Sequence, residues 1–321
     1  MSEPSIAVLG GSSPMQIAGR YLLATRPKFF TASVLPMLVG SAWGWAEGNA
    51  FDTTAFILGL LATVFVHSAA NVLNDVFDGL NGNDDNNQGH IFPYTGGSRF
   101  IQNGVLNIQQ MTRWGILLLV LGIAAGLALT LYKGPMIIVF GLIGIALGVL
   151  YSAPPLHLSA HGLGEAAVGV AFGTLPVVGA TWLQTGDIST SALILSLPIS
   201  MWVAAVLVIN EVPDAKADSS VERKTLVVRF GPNGARWMYI ALHVLAFSGF
   251  VLATTSGLLP VWSLSFPALM VIGAFKASRS IVVDFENRIE DLQKGIEITL
   301  GLHMLGCLWL LVLVTGTGLW W

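Results

Sequence analysis

Long runs of hydrophobic residues, separated from one another by polar stretches, dominate the sequence. Each run is long enough for an α-helix to cross the hydrocarbon core of a bilayer, which takes about 20 residues. A membrane-spanning β-strand takes only about 10, so the pattern predicts helices and not a barrel. We predict nine spans, at about residues 29–46, 54–73, 114–132, 135–151, 166–183, 191–210, 236–256, 260–277 and 297–320.

The composition supports an integral membrane protein. Hydrophobic residues make up 54% of the 321 residues and charged residues only 10%, whereas soluble domains carry roughly a quarter charged residues. We therefore interpret the chain as an all-α polytopic protein of the lipid bilayer. The net charge of −3 gives no indication of a nucleic-acid partner. Residues 1–25 are predicted to be a tail or surface helix without a signal peptide, and residues 26–321 a single transmembrane domain.

The basic residues predict the orientation of the chain. With nine spans and the N-terminus inside, every Lys and Arg except Lys133 falls in a cytoplasmic segment. The positive-inside rule then places the N-terminus in the cytoplasm and the C-terminus outside. We expect the bacterial plasma membrane as the location, with Trp320 and Trp321 as interface anchors.

Two acidic stretches follow long apolar runs, one at residues 71–78 and one at residues 210–218. Carboxylates next to hydrocarbon are costly and usually mark a functional site. If the first helix continues, Asn71, Asp75 and Asp78 share one face, since they are four and three residues apart. Asn210, Asp214 and Asp218 share a face in the same way. The sequences Asn74–Asp78 and Asn210–Asp214 also follow one pattern, N-[D/E]-V-x-D, which is typical of an internal duplication.

Several carboxylates at one cytoplasmic mouth would repel each other unless a cation lay between them. A ligand set of oxygens, without a His/Cys set at metal spacing, favours Mg²⁺ over zinc. Mg²⁺ completes its shell with water and substrate phosphate, and nearby Arg and Lys side chains suit a polyanion. The residues therefore predict a metal-bound diphosphate at the membrane surface, with an apolar tail among the helices.

At these residues the sequence resembles the UbiA superfamily of intramembrane prenyltransferases. Asn74, Asp75 and Asp78 match its N-D-x-x-D motif, and the continuation to Gly82 and Asp84 is similar to the branch that prenylates 1,4-dihydroxy-2-naphthoate in menaquinone biosynthesis. The resemblance covers about residues 26–320. Its further motifs are Arg26-Pro27-Lys28, Gly96-Gly97-Ser98-Arg99, Tyr151-x-x-Pro154-Pro155, Gly162-x-Gly164-Glu165, Asn210-Glu-x-Pro-Asp214-x-x-x-Asp218 and Arg223-Lys224-Thr225-Leu226. His157 and His161 depart from the basic residues expected after the Pro-Pro turn.

The resemblance implies about nine transmembrane helices around a central apolar chamber that opens to the cytoplasmic side. It also implies Mg²⁺-dependent transfer of a polyprenyl group from its diphosphate to an aromatic acceptor, with 1,4-dihydroxy-2-naphthoate expected. It implies Asp75, Asp78, Asp214 and Asp218 as catalytic residues. The same four, with Asn71, Asp84 and Asn210, are the expected metal ligands. The expected substrate-binding residues are Asn74, Arg26, Lys28, Arg99, Tyr151, Arg223 and Lys224.

Three alternatives stay open at this point. Within the superfamily, the acceptor could be 4-hydroxybenzoate, homogentisate or a lipid, or the enzyme could be an intramembrane terpene cyclase. From another class, a secondary transporter also has repeated units and acidic residues in the membrane. Transporter sites usually lie near mid-membrane, however, whereas these acids follow the ends of apolar runs at one surface.

Overall fold

A computed structural model describes residues 3–48, 50–153 and 155–320, with side chains to residue 316. Pro154 of the Pro-Pro turn, Trp321 and the side chain of Trp320 lie outside this description. Within it, all regular structure is helical. The helices are α1 (Ile6–Leu9), α2 (Pro14–Ala24), α3 (Thr31–Gly48), α4 (Thr53–Leu80), α5 (Asn83–Asn86), α6 (Ile108–Lys133), α7 (Met136–Leu150), α8 (Gly164–Gly169), α9 (Leu175–Thr185), α10 (Thr190–Ser220), α11 (Leu226–Thr255), α12 (Ser265–Ser278) and α13 (Ile289–Trp320).

Within the described ranges, eight helical segments are long and apolar enough to cross a membrane. The predicted fourth span corresponds to α7, which has 15 residues. At 1.5 Å per residue α7 is about 22 Å long, less than the roughly 30 Å of a hydrocarbon core. The all-α membrane architecture is therefore confirmed, and the count of nine stays a prediction. The eight segments are Pro27–Gly48, Thr53–Leu80, Ile108–Lys133, Gly164–Thr185, Thr190–Ser220, Leu226–Thr255, Val261–Ser278 and Phe285–Gly316.

Several helices begin earlier than the apolar runs indicate, because polar capping residues precede those runs. Helix α6 begins at Ile108, where Asn107 and Gln110 form a reciprocal capping box. Helix α11 begins at Leu226, where the Thr225 side chain accepts a hydrogen bond from the Val228 amide, and it is kinked at Gly231, whose φ of 67° and ψ of 178° are not helical. Such caps satisfy amides that lack partners inside a helix. The first turns of these helices thus lie in segments that hydropathy alone assigns to loops.

The N-terminal residues pack against the loop that joins α4 and α6, which we call the α4–α6 loop (residues 81–107). The Glu3 carboxylate lies 2.7 Å from His90 Nε2 and accepts a 2.9 Å hydrogen bond from Asn103 Nδ2. Helix α2 follows and begins with a capping box at Ser13. Residues 3–24 thus form two helices, of which the first is held against the α4–α6 loop.

Helix α10 lies at the centre of the packing, with α3, α8, α11 and α13 around it. Its buried residues Leu195, Ile199 and Trp202 belong to the largest hydrophobic cluster. Small residues let neighbouring helices approach closely. Gly173 lies between α8 and α9. A Cβ at this position would lie 2.5 Å from the Cα of Ser200, so only glycine fits where the chain crosses α10.

Both acid-bearing helices continue through their motifs. Helix α4 runs to Leu80, and α10 runs to Ser220 even though Pro213 lies within it. Asn71, Asp75 and Asp78 therefore share a face of α4, as their spacing predicts. Asn210, Asp214 and Asp218 likewise share a face of α10.

Candidate active site

The two acidic faces meet at one end of a cavity of about 620 Å³. Asp78 of α4 and Asp214 and Asp218 of α10 line this end. The rest of the cavity runs between α3, α4, α6, α7 and α9 and is lined by apolar side chains such as Phe140, Phe172 and Leu175. The cavity therefore combines a charged mouth with a long hydrophobic body.

Asp75 and Asp78 are each held by an arginine from another part of the chain. Asp75 is buried and forms an ion pair with Arg26, and it also accepts a hydrogen bond of 3.2 Å from the Ser98 amide. Asp78 accepts hydrogen bonds from Asn74 Nδ2 at 2.9 Å and from Arg223 Nη1 at 3.3 Å. The first motif is thus fixed by two cations distant in sequence.

The backbone around Arg26 is shaped to present its side chain. Arg26 has φ 56° and ψ 60°, in the left-handed region, just before the short turn Pro27–Phe29. Asn71 Nδ2 donates a 3.0 Å hydrogen bond to the Thr25 carbonyl at this bend. Asn71, predicted as a metal ligand, thus also holds the bend that carries Arg26.

The second motif is held by amides of the α4–α6 loop. Asn87 Nδ2 donates to Asp214 at 2.7 Å, and Asn83 Nδ2 donates to Asp218 at 3.0 Å. Arg223 Nη1 also lies 3.5 Å from Asp218 Oδ1. The loop therefore joins the ends of α4 and α10 across the mouth of the cavity.

Arg223 connects both motifs. Besides Asp78 and Asp218, it contacts Ser159, to which Nη2 donates a 2.8 Å hydrogen bond. Burial lowers the pKa of Arg223, but the negative charges of Asp78 and Asp218 more than offset that effect and leave the pKa raised. The guanidinium therefore stays charged at every pH of interest.

Gly97 brings the α4–α6 loop close to the carboxylates of Asp84 and Asp75. A Cβ at this position would lie 2.6 Å from Asp84 Oδ2 and 3.1 Å from Asp75 Oδ1, and its φ of +78° favours glycine. Asp84 is buried, and its Oδ2 has no hydrogen-bond partner. Burial, and after it the charge of Asp78, raises the pKa of Asp84 to about 7.

A family model now identifies the chain. The model of the UbiA prenyltransferase family matches residues 33–289, a stretch that includes both acidic motifs. The chain belongs to the UbiA prenyltransferase family. It is therefore a prenyltransferase, and the enzyme interpretation is confirmed over the transporter alternative.

Curated relatives of this UbiA-family chain extend over most of its length. It is 28% identical over 291 residues to "UbiA prenyltransferase domain-containing protein 1" of Gallus gallus, covering 89% of this chain and 84% of that protein. It is also 28% identical over 296 residues to the 1,4-dihydroxy-2-naphthoate octaprenyltransferase of Escherichia coli, covering 89% and 94%. The octaprenyltransferase of the same name from Bacillus subtilis is 27% identical, with 74% of each chain covered.

Solved structures share the UbiA fold. A UbiA homolog from Aeropyrum pernix matches with a TM-score of 0.64 at 17% identity, covering 87% of this chain and 97% of that one. A UbiA homolog from Archaeoglobus fulgidus bound to GPP and Mg²⁺ matches with a TM-score of 0.56 at 16% identity, covering 92% and 100%. At these identities the likeness concerns the fold alone.

The donor groups at the mouth of this UbiA cavity fit a hard divalent cation. Asn83 Oδ1, Asp84 Oδ2 and Asn210 Oδ1 are buried without a hydrogen-bond partner. All three residues line the cavity next to the acidic motifs. In the described part of the chain, no three His, Cys, Asp or Glu side chains form a ready-made metal cluster. Since Mg²⁺ typically takes one or two carboxylates and completes its shell with phosphate and water, the free oxygens suit it.

The structure brings most of the predicted site residues to the cavity, but not all of them. Lys28 is exposed and lies 5.6 Å from the ring of Tyr94, which lines the cavity. Arg99 donates a 2.6 Å hydrogen bond to the Asp84 carbonyl, and so holds the loop. Lys224 is exposed. Neither Arg99, Lys224 nor Lys28 lines the cavity. Asp75 does not line it either, but it pairs with Arg26, which does. The predicted residues that line it are Arg26, Asn71, Asn74, Asp78, Asp84, Tyr151, Asn210, Asp214, Asp218 and Arg223.

The sequence reasoning missed four polar residues at the site. Asn83 and Asn87 hold the second motif, and the run Asn83-Asp-Asp-Asn-Asn87 is the signal that could have found them. Glu165 and Glu211 are both buried next to the cavity. They lie inside motifs that carry the family resemblance, yet no chemistry had been assigned to them.

Proposed function

We propose that this UbiA-family enzyme transfers a polyprenyl group from a polyprenyl diphosphate to 1,4-dihydroxy-2-naphthoate, with loss of the acceptor's carboxyl group, in menaquinone biosynthesis. The observation that carries the proposal is that a mouth of carboxylates and arginines joins a long apolar body within one cavity. Such a shape suits a molecule with a polyanionic head and a hydrocarbon tail. The naphthoate octaprenyltransferases among the relatives support this choice of acceptor.

Mg²⁺ held by Asp78, Asp84, Asp214 and Asp218, together with Asp75, Asn71 and Asn210, would neutralise the diphosphate and favour its departure. The chain's own cations assist. Arg26 and Arg223 lie at the mouth, where a diphosphate oxygen can replace a carboxylate as their partner.

The apolar body protects the reactive prenyl carbon. Ionisation of the allylic C–O bond leaves a cation that water would quench, and the lining residues between α3 and α9 exclude water from it. An electron-rich ring carbon held about 3–3.5 Å away then attacks. Asn74 links α4 to Ser152 after α7 by a 2.9 Å hydrogen bond, and Tyr151 lines the cavity beside it.

Product analysis tests the acceptor. The purified enzyme, in lipid nanodiscs with Mg²⁺ and radiolabelled polyprenyl diphosphate, is incubated with dihydroxynaphthoate, 4-hydroxybenzoate or homogentisate. We expect a decarboxylated prenyl naphthalenediol from the first acceptor only. Product from another acceptor, with none from dihydroxynaphthoate, would refute this branch of the family. A cyclic hydrocarbon formed without any acceptor would indicate a cyclase.

The location follows from the same proposal. We place the enzyme in the bacterial plasma membrane, with the cavity mouth and the N-terminus cytoplasmic and the C-terminus outside. The positive-inside distribution of Lys and Arg supports this orientation. Polyprenyl diphosphates could then reach the mouth from the cytoplasmic leaflet.

A further inference from the structure

Glu165 and Glu211 are buried carboxyl groups that the proposed metal and diphosphate chemistry does not use. Each residue is only 6% exposed. Both carboxylate oxygens of Glu165, and Oε2 of Glu211, lack a hydrogen-bond partner. Unsatisfied buried acceptors are costly, so a protein keeps them only when something else satisfies them.

The two residues are neighbours from different helices. Glu165 lies in the first turn of α8, which packs against α10, where Glu211 lies. Glu165 lies close enough to Glu211 to act on it electrostatically. A proton held between the two carboxyl groups would satisfy one oxygen of each at most. The remaining oxygens are hydrogen-bond acceptors that need donors from elsewhere.

Glu211 faces the cavity at the boundary between its two parts. On the same face of α10, Leu207 lies one turn before it and Asp214 one turn after it, and all three line the cavity. The free acceptor is thus placed between the apolar body and the diphosphate mouth. An acceptor ring must sit at this boundary to meet the prenyl carbon.

The two arginines that line the cavity already have carboxylate partners. Arg223 donates to Asp78 and Ser159 and lies against Asp218. Arg26 pairs with Asp75. In the described part of the chain these are the two Arg or Lys residues that line the cavity. Neither arginine is therefore free to pair with Glu211, whose Oε2 stays open to a hydrogen-bond donor on a bound ligand.

We propose that Glu211 binds the aromatic acceptor by accepting a hydrogen bond from one of its ring hydroxyl groups, and that Glu165 positions Glu211. This inference rests on the proposed function, since it specifies how the acceptor is recognised. The ligand class is an arene with phenolic hydroxyls. Because two carboxylates repel an anion, a carboxylate on the acceptor points away from this pair.

The test compares hydroxyl-dependent binding in wild type and in Glu211→Leu, which removes both acceptor oxygens. Two competitive ligands are used, 1,4-dihydroxynaphthalene and naphthalene, which lacks both hydroxyls. Pairing a buried acceptor that otherwise has no donor typically changes binding about tenfold. We expect wild type to bind the dihydroxy ligand about tenfold more tightly than naphthalene, and Glu211→Leu to lose most of that preference.

Kinetic constants supply a second readout. Glu211→Leu and Glu165→Gln should each raise the acceptor KM about tenfold and leave the prenyl diphosphate KM within about twofold. In Glu165→Gln the new amide can donate to Glu211 and occupy its free oxygen. Glu290→Gln, on an exposed residue of α13, is the matched control and should behave as wild type.

The possible results distinguish a wrong inference about Glu211 from a wrong proposed function. An equal preference for the dihydroxy ligand in wild type and Glu211→Leu refutes the inference. A wild type that binds both ligands equally also refutes it, and that measurement does not depend on the folding of any variant. A parallel rise of both KM values would show a structural role only. If wild type prenylates no aromatic acceptor at all, the proposed function itself is wrong, whatever the variants do.

Discussion

Gly97 offers a sharp test of how the α4–α6 loop assembles the site. An alanine there places its Cβ 2.6 Å from Asp84 Oδ2, 3.1 Å from Asp75 Oδ1 and 3.3 Å from Arg26 Nη2. The first distance is shorter than any ordinary contact, so a group must move. Because the Asp84 carboxylate is the end of a side chain with a free oxygen, we expect it to be displaced first.

The magnitude has two separable parts. A non-glycine residue in the left-handed region costs about 1–2 kcal/mol. For a protein of this size, that lowers the unfolding midpoint by a few degrees, at about 2–4 °C per kcal/mol. The displaced carboxylate adds a loss of activity, since misplacing a catalytic group by about 1 Å can cost about 100-fold in rate.

Gly186 supplies the matched control. It has φ +83° at the end of α9, and a Cβ there would meet no atom within 4 Å. Gly186→Ala therefore carries the same backbone strain without the contact to the carboxylates. We expect both variants to lose similar thermal stability. Only Gly97→Ala should lose about 100-fold in kcat/KM, and it should need more Mg²⁺ for half-maximal rate.

The assay is prenyl transfer from labelled diphosphate at several Mg²⁺ concentrations, with thermal unfolding of the same preparations. A Gly97→Ala activity within about threefold of Gly186→Ala would refute the reasoning. It would show that the close approach of Gly97 to Asp84 and Asp75 has no part in catalysis.

Three further predictions follow from the same site. Excess EDTA should abolish turnover and added Mg²⁺ should restore it, because the free oxygens at the mouth suit a divalent cation. Full activity in EDTA would show that the reaction needs no metal ion. Asp75→Asn and Asp214→Asn should each abolish prenyl transfer without unfolding the protein, whereas Asp85→Asn, on an exposed neighbour, should leave the rate unchanged. Cysteine labelling should find residues 86–90 and 219–222 on the cytoplasmic side and Gly186 on the other; labelling of all three from one side would contradict the proposed orientation.

The helical membrane architecture was predictable from the sequence because its causes are local. An apolar run long enough to cross a bilayer has no alternative to a helix, since every backbone amide must be satisfied within the segment. The shared faces of Asn71, Asp75 and Asp78, and of their counterparts on α10, follow from the helical repeat alone. Helix starts were less accurate, because caps such as Asn107 and Thr225 lie among residues that hydropathy assigns to loops.

Which basic residue serves the site was decided only by the tertiary structure. Arg26 and Asp75 are 49 residues apart, and Arg223 and Asp78 are 145 apart, and packing of α4 against distant segments brings them together. Lys28, two residues after Arg26, and Lys224, directly after Arg223, are also basic but remain exposed. Spacing along a chain defines which residues share a helix face. It does not define which loop will fold over that face.

The chemistry of the Glu165–Glu211 pair could not be predicted from the sequence either. Both residues stand in recognisable motifs, yet their chemistry depends on what surrounds them. A glutamate in a loop is solvated, whereas these two are buried against each other without a donor. Burial and the absence of a partner are properties of three-dimensional packing, because they depend on every neighbouring helix and on no single stretch of sequence.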